Sequence, residues 1–230
     1  MACTVDPMDA SMFNSSQARR IEVTLAGYNG QEAPVRAALN DTDPTVRAAA
    51  LGGLDRLGTL TSSDIFNALN DDALRVRRRA CELATILPLG SNPSHDIDLV
   101  LLRFLETGDE TMAELSAWCL GERHEQSVDA IQESGLSDAH LAEIVKTLAG
   151  TVHNHRDALV REAAVAALGC IGTPDAKAPV LHAIGDKATV RRRAVIALAA
   201  FEGDDVEAAL NHAATDRDWQ VRQAAEDLLH

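Results

Sequence analysis

Aromatic residues are scarce. Phenylalanine, tryptophan and tyrosine make up 3% of the 230 residues, with one tyrosine and two tryptophans. Sheet proteins fill their pleated faces with aromatic and β-branched side chains, so this shortage argues against a sandwich or barrel. Bases are outnumbered, 21 lysines and arginines against 35 acids, for a formal charge of −14. A chain-wide contact with nucleic acid or an anionic membrane needs the opposite sign. Long apolar runs are missing: nothing approaches the roughly 20 residues that cross a bilayer, so no membrane partner is expected. Residues 1–16 lack the basic start and apolar centre of a secretion signal and are read as a disordered tail. The cysteines are Cys3, Cys81, Cys119 and Cys170, with no Cys-x-x-Cys pair and no cysteine–histidine cluster at zinc spacing. The last three fall in apolar helical stretches, which reads as buried, reduced thiols in a cytoplasmic protein. Walker loops, nucleophile elbows, paired zinc-histidine motifs and glycine-rich dinucleotide turns are all missing. No catalytic residue, metal ligand or cofactor is assigned.

What the chain has in plenty is alanine, within a hydrophobic share of 46%, and an internal repeat. Val-Arg-x-x-Ala occurs five times, opening at Val46, Val76, Val160, Val190 and Val221. A sixth, degenerate copy at Met112-Ala113 keeps the apolar phase and loses the arginine. Counted from the valine, positions zero, four, five and eight are apolar or small, as in Val160, Ala164, Val165 and Leu168, which is one face of a helix. An aspartate often stands three or five residues earlier, as Asp41, Asp43, Asp71, Asp109, Asp157, Asp216 or Asp218, placed to cap the coming helix. Gly58, Pro88, Gly121, Gly172 and Gly203 follow the units as helix stops. A shorter apolar-periodic segment precedes each aspartate, with Pro34 and Pro179 placed for a helix's first turn. Each repeat is therefore helix, tight turn, helix. Two such helices bury their apolar faces only by stacking on neighbouring pairs.

The phrases Leu-Asn-Asp-Thr-Asp-Pro-Thr-Val-Arg-Ala-Ala-Ala-Leu (39–51) and Val-Arg-Glu-Ala-Ala-Val-Ala-Ala-Leu-Gly (160–169) resemble bacterial HEAT repeats of the PBS-lyase-like type. The resemblance implies an all-α fold, an α-solenoid wound as a right-handed superhelix of about six HEAT-like helix pairs. It places the repeats near 33–58, 64–87, 98–121, 139–172, 175–201 and 205–230, in a single array over 17–230. Residues 18–28 form a capping helix in this reading. Pro88–His95 is a flexible link, and 122–138 an insertion with a short helix near 126–132. For function the resemblance implies a non-catalytic scaffold that binds a protein or peptide in a concave groove. The alternative is a HEAT-like DNA-binding protein or an alkylpurine DNA glycosylase, which the negative charge disfavours.

The recurring arginine (Arg47, Arg77, Arg161, Arg191, Arg222) keeps step with the aspartate turns, which points to a tie between neighbouring repeats. The extra arginines around Arg78 and Arg192 read as a solvated face. Positions two and six of each second helix point into the groove by phase. They form a mixed-sign stripe: Ala48, Arg78, Glu114, Glu162, Arg192 and Gln223, then Gly52, Glu82, Trp118, Ala166, Ile196 and Asp227. The centre of the candidate site is Trp118, with Arg78, Glu114, Glu162 and Arg192 as its charged surround. Trp219 is expected to plug the turn before it. His153 and His155 read as polar loop residues. His124-Glu125 resembles one histidine–glutamate pair of the di-iron deoxyhypusine hydroxylases, which need several, so it is not assigned to metal.

Overall fold

The computed structural model describes residues 15–89, 92–107, 109–125 and 138–229. The described residues form thirteen α-helices and two short 3-10 turns, with no strand. The chain divides after Ala84 into two compact units.

The first unit holds α1 (Ser15–Tyr28), α2 (Glu32–Ala37), α3 (Pro44–Leu57), α4 (Ser62–Leu69) and α5 (Leu74–Ala84). Helices α1, α3 and α5 pack in series, with α2 against α3 and α4 against α5. Val46, Ala50, Leu51 and Leu54 are fully buried, as the repeat phase requires. Asp43 caps α3 through the Thr45 N–H, Pro44 supplies the first turn, and Gly58 ends the helix at φ 68°. Helix α1 begins at Ser15, two residues inside the expected tail, and buries Val23 and Ala26 against α3.

The second unit holds α6 (Asn92–Glu106), α7 (Glu110–Arg123), α8 (Asp138–Asn154), α9 (Ala158–Ile171), α10 (Pro174–Ala183), α11 (Ala188–Ala197), α12 (Asp204–Ala213) and α13 (Trp219–Leu229). Helices α7, α9, α11 and α13 stack in a row, and α6, α8, α10 and α12 pack behind their partners. Burying one stripe of each helix against two neighbours gives this unit its core.

Several sequence expectations need correction. Residues 92–95, read as part of a link, already belong to α6, because a proline at 93 is harmless in a first turn. Gly121 does not stop α7, which runs on to Arg123. Pro179 lies inside α10, since Thr173-Pro174 start that helix one turn earlier. Gly203 begins α12 rather than ending a helix, at φ 126°. Cys170 is half-buried, unlike Cys81 and Cys119. Burial and the Glu82 charge push the Cys81 thiol up to about 12. The short helix expected near 126–132 lies outside the described residues.

Three of the five recurring arginines tie their pair to the next. Arg47 donates through Nε and Nη2 to both oxygens of Asp71, at 2.8 and 2.6 Å. Arg161 does so to Asp186, both at 2.7 Å, and Arg191 to Asp216, at 2.8 and 2.7 Å. Arg19 of α1 makes the same fork on Asp41. In each recurring arginine Nη1 turns back to a carbonyl of its own unit: Asp41, His155 and Asp186 for these three, Asp71 and Asp216 for Arg77 and Arg222. Fork-to-fork pairing is the strong form of the arginine–carboxylate contact.

Arg161→Ala should cost about 1.5–3 kcal/mol, a loss of roughly 3–12 °C in melting. The acid profile carries the same contacts. Hydrogen bonds from Arg161 and Arg191 hold Asp186 and Asp216 below the usual carboxylate range, and Arg19 brings Asp41 down to about 2. A depressed carboxylate stabilises the fold above its unfolded value, near 3.8, and loses that contribution as pH falls through the folded one. Melting should therefore fall most steeply between about pH 4 and pH 2, and less steeply in Arg161→Ala. A profile identical in both proteins would contradict the assignment.

Candidate binding groove

Helix α7 is the degenerate repeat, and its phase turns Trp118 outward, where it is 38% exposed. Beside it Glu114 lies one turn earlier on the same face. Glu162 arrives from α9, its carboxylate 3.6 Å from the Arg193 guanidinium on α11. These four side chains line one cleft of about 480 Å³, together with Leu159, Ala163, Ala166 and Glu122. A second cleft, about 530 Å³, continues past Cys170 and Ile196 and shares Ala166, Cys170 and Arg193 with the first. A third, about 280 Å³, runs from Ile196 to Trp219 and Leu228. Together they make a groove over the row α7, α9, α11 and α13.

Of the five residues singled out in the sequence, Glu114, Trp118 and Glu162 share one cleft. Arg192 lines the third cleft, beside Trp219 and Asp227. Arg193 stands in the first two, one residue on and 100° round the helix. Arg78 lies exposed on α5 of the first unit. Trp219, expected as a plug, is 64% exposed because its helix begins there and leaves one side of the ring open to the third cleft. The groove carries Glu114, Glu122, Glu125, Glu162 and Asp227 against Arg192 and Arg193, so its net sign is negative.

A second cluster lies in the interior of the same unit. Asp98 of α6 is fully buried and accepts from Arg123 Nε through Oδ1 at 2.8 Å. Its Oδ2 lies 3.1 Å from Nε2 of His124 and 3.1 Å from Nε2 of His140. Burial pushes the Asp98 carboxyl up, but the two histidines and the Arg123 charge outweigh it and hold the group well below the usual carboxylate range. Sequence reasoning passed over Asp98 and His140 and weighed His124 only beside Glu125. Asp98 comes from the middle of α6, His124 from the end of α7 and His140 from the start of α8, with no recurring spacing, so no pattern announces them.

No protein-family model matches the sequence, and no curated protein matches it. Solved structures do. YibA of Escherichia coli is similar with a TM-score of 0.60 at 14% identity, over 94% of this chain and 75% of that one. A designed armadillo repeat protein is similar at 0.52 and 18% identity, over 85% of this chain and 97% of that one. Another, solved in complex with the peptide (KR)4, reaches 0.55 at 18% identity, over 85% and 96%. At such identities the likeness is one of fold. The chain has an all-α repeat fold, similar to that of HEAT- and armadillo-like repeat structures. No helix among the described residues is long and apolar enough to cross a membrane.

Proposed function

We propose that this protein is a non-catalytic scaffold, a single HEAT-type array over residues 17–230, that binds a protein or peptide partner in the groove of its second unit. The observation that carries the reading is an exposed tryptophan in a cleft with apolar and acidic lining: Trp118 with Leu159, Ala163 and Ala166, among Glu114, Glu122 and Glu162. Exposed tryptophan in a cleft is the usual anchor of an interface. The acidic lining selects for a basic segment carrying at least one apolar side chain. Arg192 and Trp219 extend the contact along the groove. The designed armadillo protein solved with (KR)4 is a fold relative holding a peptide of that sign. A cytoplasmic setting agrees with the free thiols of Cys81, Cys119 and Cys170.

The test is selection of binders from a phage-displayed random peptide library against the whole protein. Selected peptides should be rich in lysine or arginine around an aromatic or aliphatic residue. Trp118→Ala should weaken them by about 30-fold, close to 2 kcal/mol, with little change in melting. Peptides of neutral or acidic sequence, or binding indifferent to Trp118→Ala, would defeat the reading. So would strong, salt-sensitive binding of double-stranded DNA in place of any peptide.

A further inference from the structure

We propose that Asp98, His124 and His140 bind one divalent transition-metal ion, Zn2+ as the reference case, at the point where α6, α7 and α8 meet. Two imidazole nitrogens and one carboxylate oxygen are the donor set that zinc and its first-row neighbours take. The three ligand atoms lie within 4.8 Å of one another. Both nitrogens stand 3.1 Å from the same oxygen. A tetrahedral ion with bonds of about 2.0–2.1 Å keeps its donors roughly 3.3–3.4 Å apart, so each nitrogen opens from Oδ2 by a few tenths of an ångström, and the two nitrogens, within 4.8 Å of one another, close by at most about 1.4 Å. The donors converge on one centre rather than spreading over the carboxylate, because Arg123 already occupies Oδ1. That contact fixes the carboxylate plane and leaves Oδ2 as the single carboxylate ligand, the role an outer-shell partner plays at metal sites.

The place in the fold agrees. Side-chain exposure is 0% for Asp98, 1% for His124 and 7% for His140, so solvent competes weakly for the donors. The cluster sits on the one repeat that has lost its Val-Arg pair, where Ala113 stands and the arginine–aspartate tie is missing. The ion replaces that tie with a clip across three helices. Three protein donors leave a fourth position for water, and the Arg123 charge opposes the cation. Affinity is therefore below that of a closed four-ligand structural site. The inference does not depend on the peptide reading, since none of the three donors lines the groove.

The experiment uses the full chain, stripped with chelator and titrated with ZnCl2 by calorimetry and with CoCl2 by visible spectroscopy. One Zn2+ should bind per chain. Melting should rise by roughly 5–10 °C at about one hundred times Kd. Co2+ should give the ligand-field spectrum of a four- or five-coordinate nitrogen–oxygen site. His140→Gln should weaken binding at least about 100-fold. His153→Gln, which removes a histidine whose ring lies tilted against His182 with centroids 4.3 Å apart, should leave binding unchanged. Should His140→Gln fail to fold, the wild-type imidazole nitrogen resonances decide: Zn2+ should shift those of His124 and His140. No stoichiometric binding, binding that survives His140→Gln, or shifts confined to His153 and His182 would each overturn the site and show a purely hydrogen-bonded cluster.

Discussion

Arg123→Met is expected to lower stability by about 3–5 kcal/mol, a fall of roughly 6–20 °C in melting for a chain of this size. The reason is the charge it leaves behind. Asp98 and the Arg123 side chain are both 0% exposed, and the guanidinium is the full positive charge set against the carboxylate. Removing one partner of a buried pair strands the other in a medium that solvates it poorly. Removing both is different. Asp98→Leu with Arg123→Met should recover only part of the loss: no ion is then buried, but His124 and His140 lose the oxygen they share. Urea denaturation of the two single variants and the double variant gives the coupling directly. A single-variant cost within about 1 kcal/mol, or a double variant no better than the single, would show that the pair is not what holds this corner of the unit.

Gly121→Leu should cost about 3 kcal/mol or more, at or above the upper end of ordinary overpacking. A Cβ on Gly121 would stand 2.7 Å from the Ala167 Cα and 3.0 Å from its Cβ. The obstruction is backbone, so no rotamer change relieves it. Helices α7 and α9 would have to separate along one of the most extensive helix contacts of the second unit. Gly150→Ala is the matched control. That position is inside α8 with nothing within 4 Å of a new Cβ, and alanine should raise stability by about 0.5–1 kcal/mol through helix propensity. Chemical denaturation separates the two signs. Equal, small effects at both positions would mean that the close approach of α7 and α9 is not needed.

What the sequence made legible is what repeats. Val46, Ala50, Leu51 and Leu54 recur in phase in the later units, so chance resemblance at one site is corrected at the next. The caps at Asp43 and Asp157 and the forks on Asp71, Asp186 and Asp216 come with the same phase. Trp118 was placed outward by phase alone. The failures have one physical source, which is that a single occurrence has no register to check it. Arg192 and Arg193 differ by 100° of helix rotation, and phase counting chose the one that faces the next cleft rather than the Glu162 side. Gly121 looked like a stop because glycine ends other units here, while its use is close approach. Asp98, His124 and His140 belong to no repeating pattern. Their meeting depends on how the middle of α6, the end of α7 and the start of α8 are stacked, which is a property of packing and not of any local segment.

The arginine–aspartate forks have a consequence for how such a chain comes to exist. Each of these three rungs spans 24 or 25 residues, and the units of α3 and α11 carry both halves: an aspartate, Asp41 or Asp186, that receives its predecessor and an arginine, Arg47 or Arg191, that reaches its successor. A stretch of gene encoding one such unit therefore brings its own fastening at both ends. Duplicating or deleting it leaves the joints on either side intact, with no compensating change elsewhere. Length can then vary in whole units while each joint is inherited ready-made. The unit built on α7, which has lost its arginine and gained a cluster of its own, has left that scheme, and a copy of it would bring no arginine of this kind to its successor.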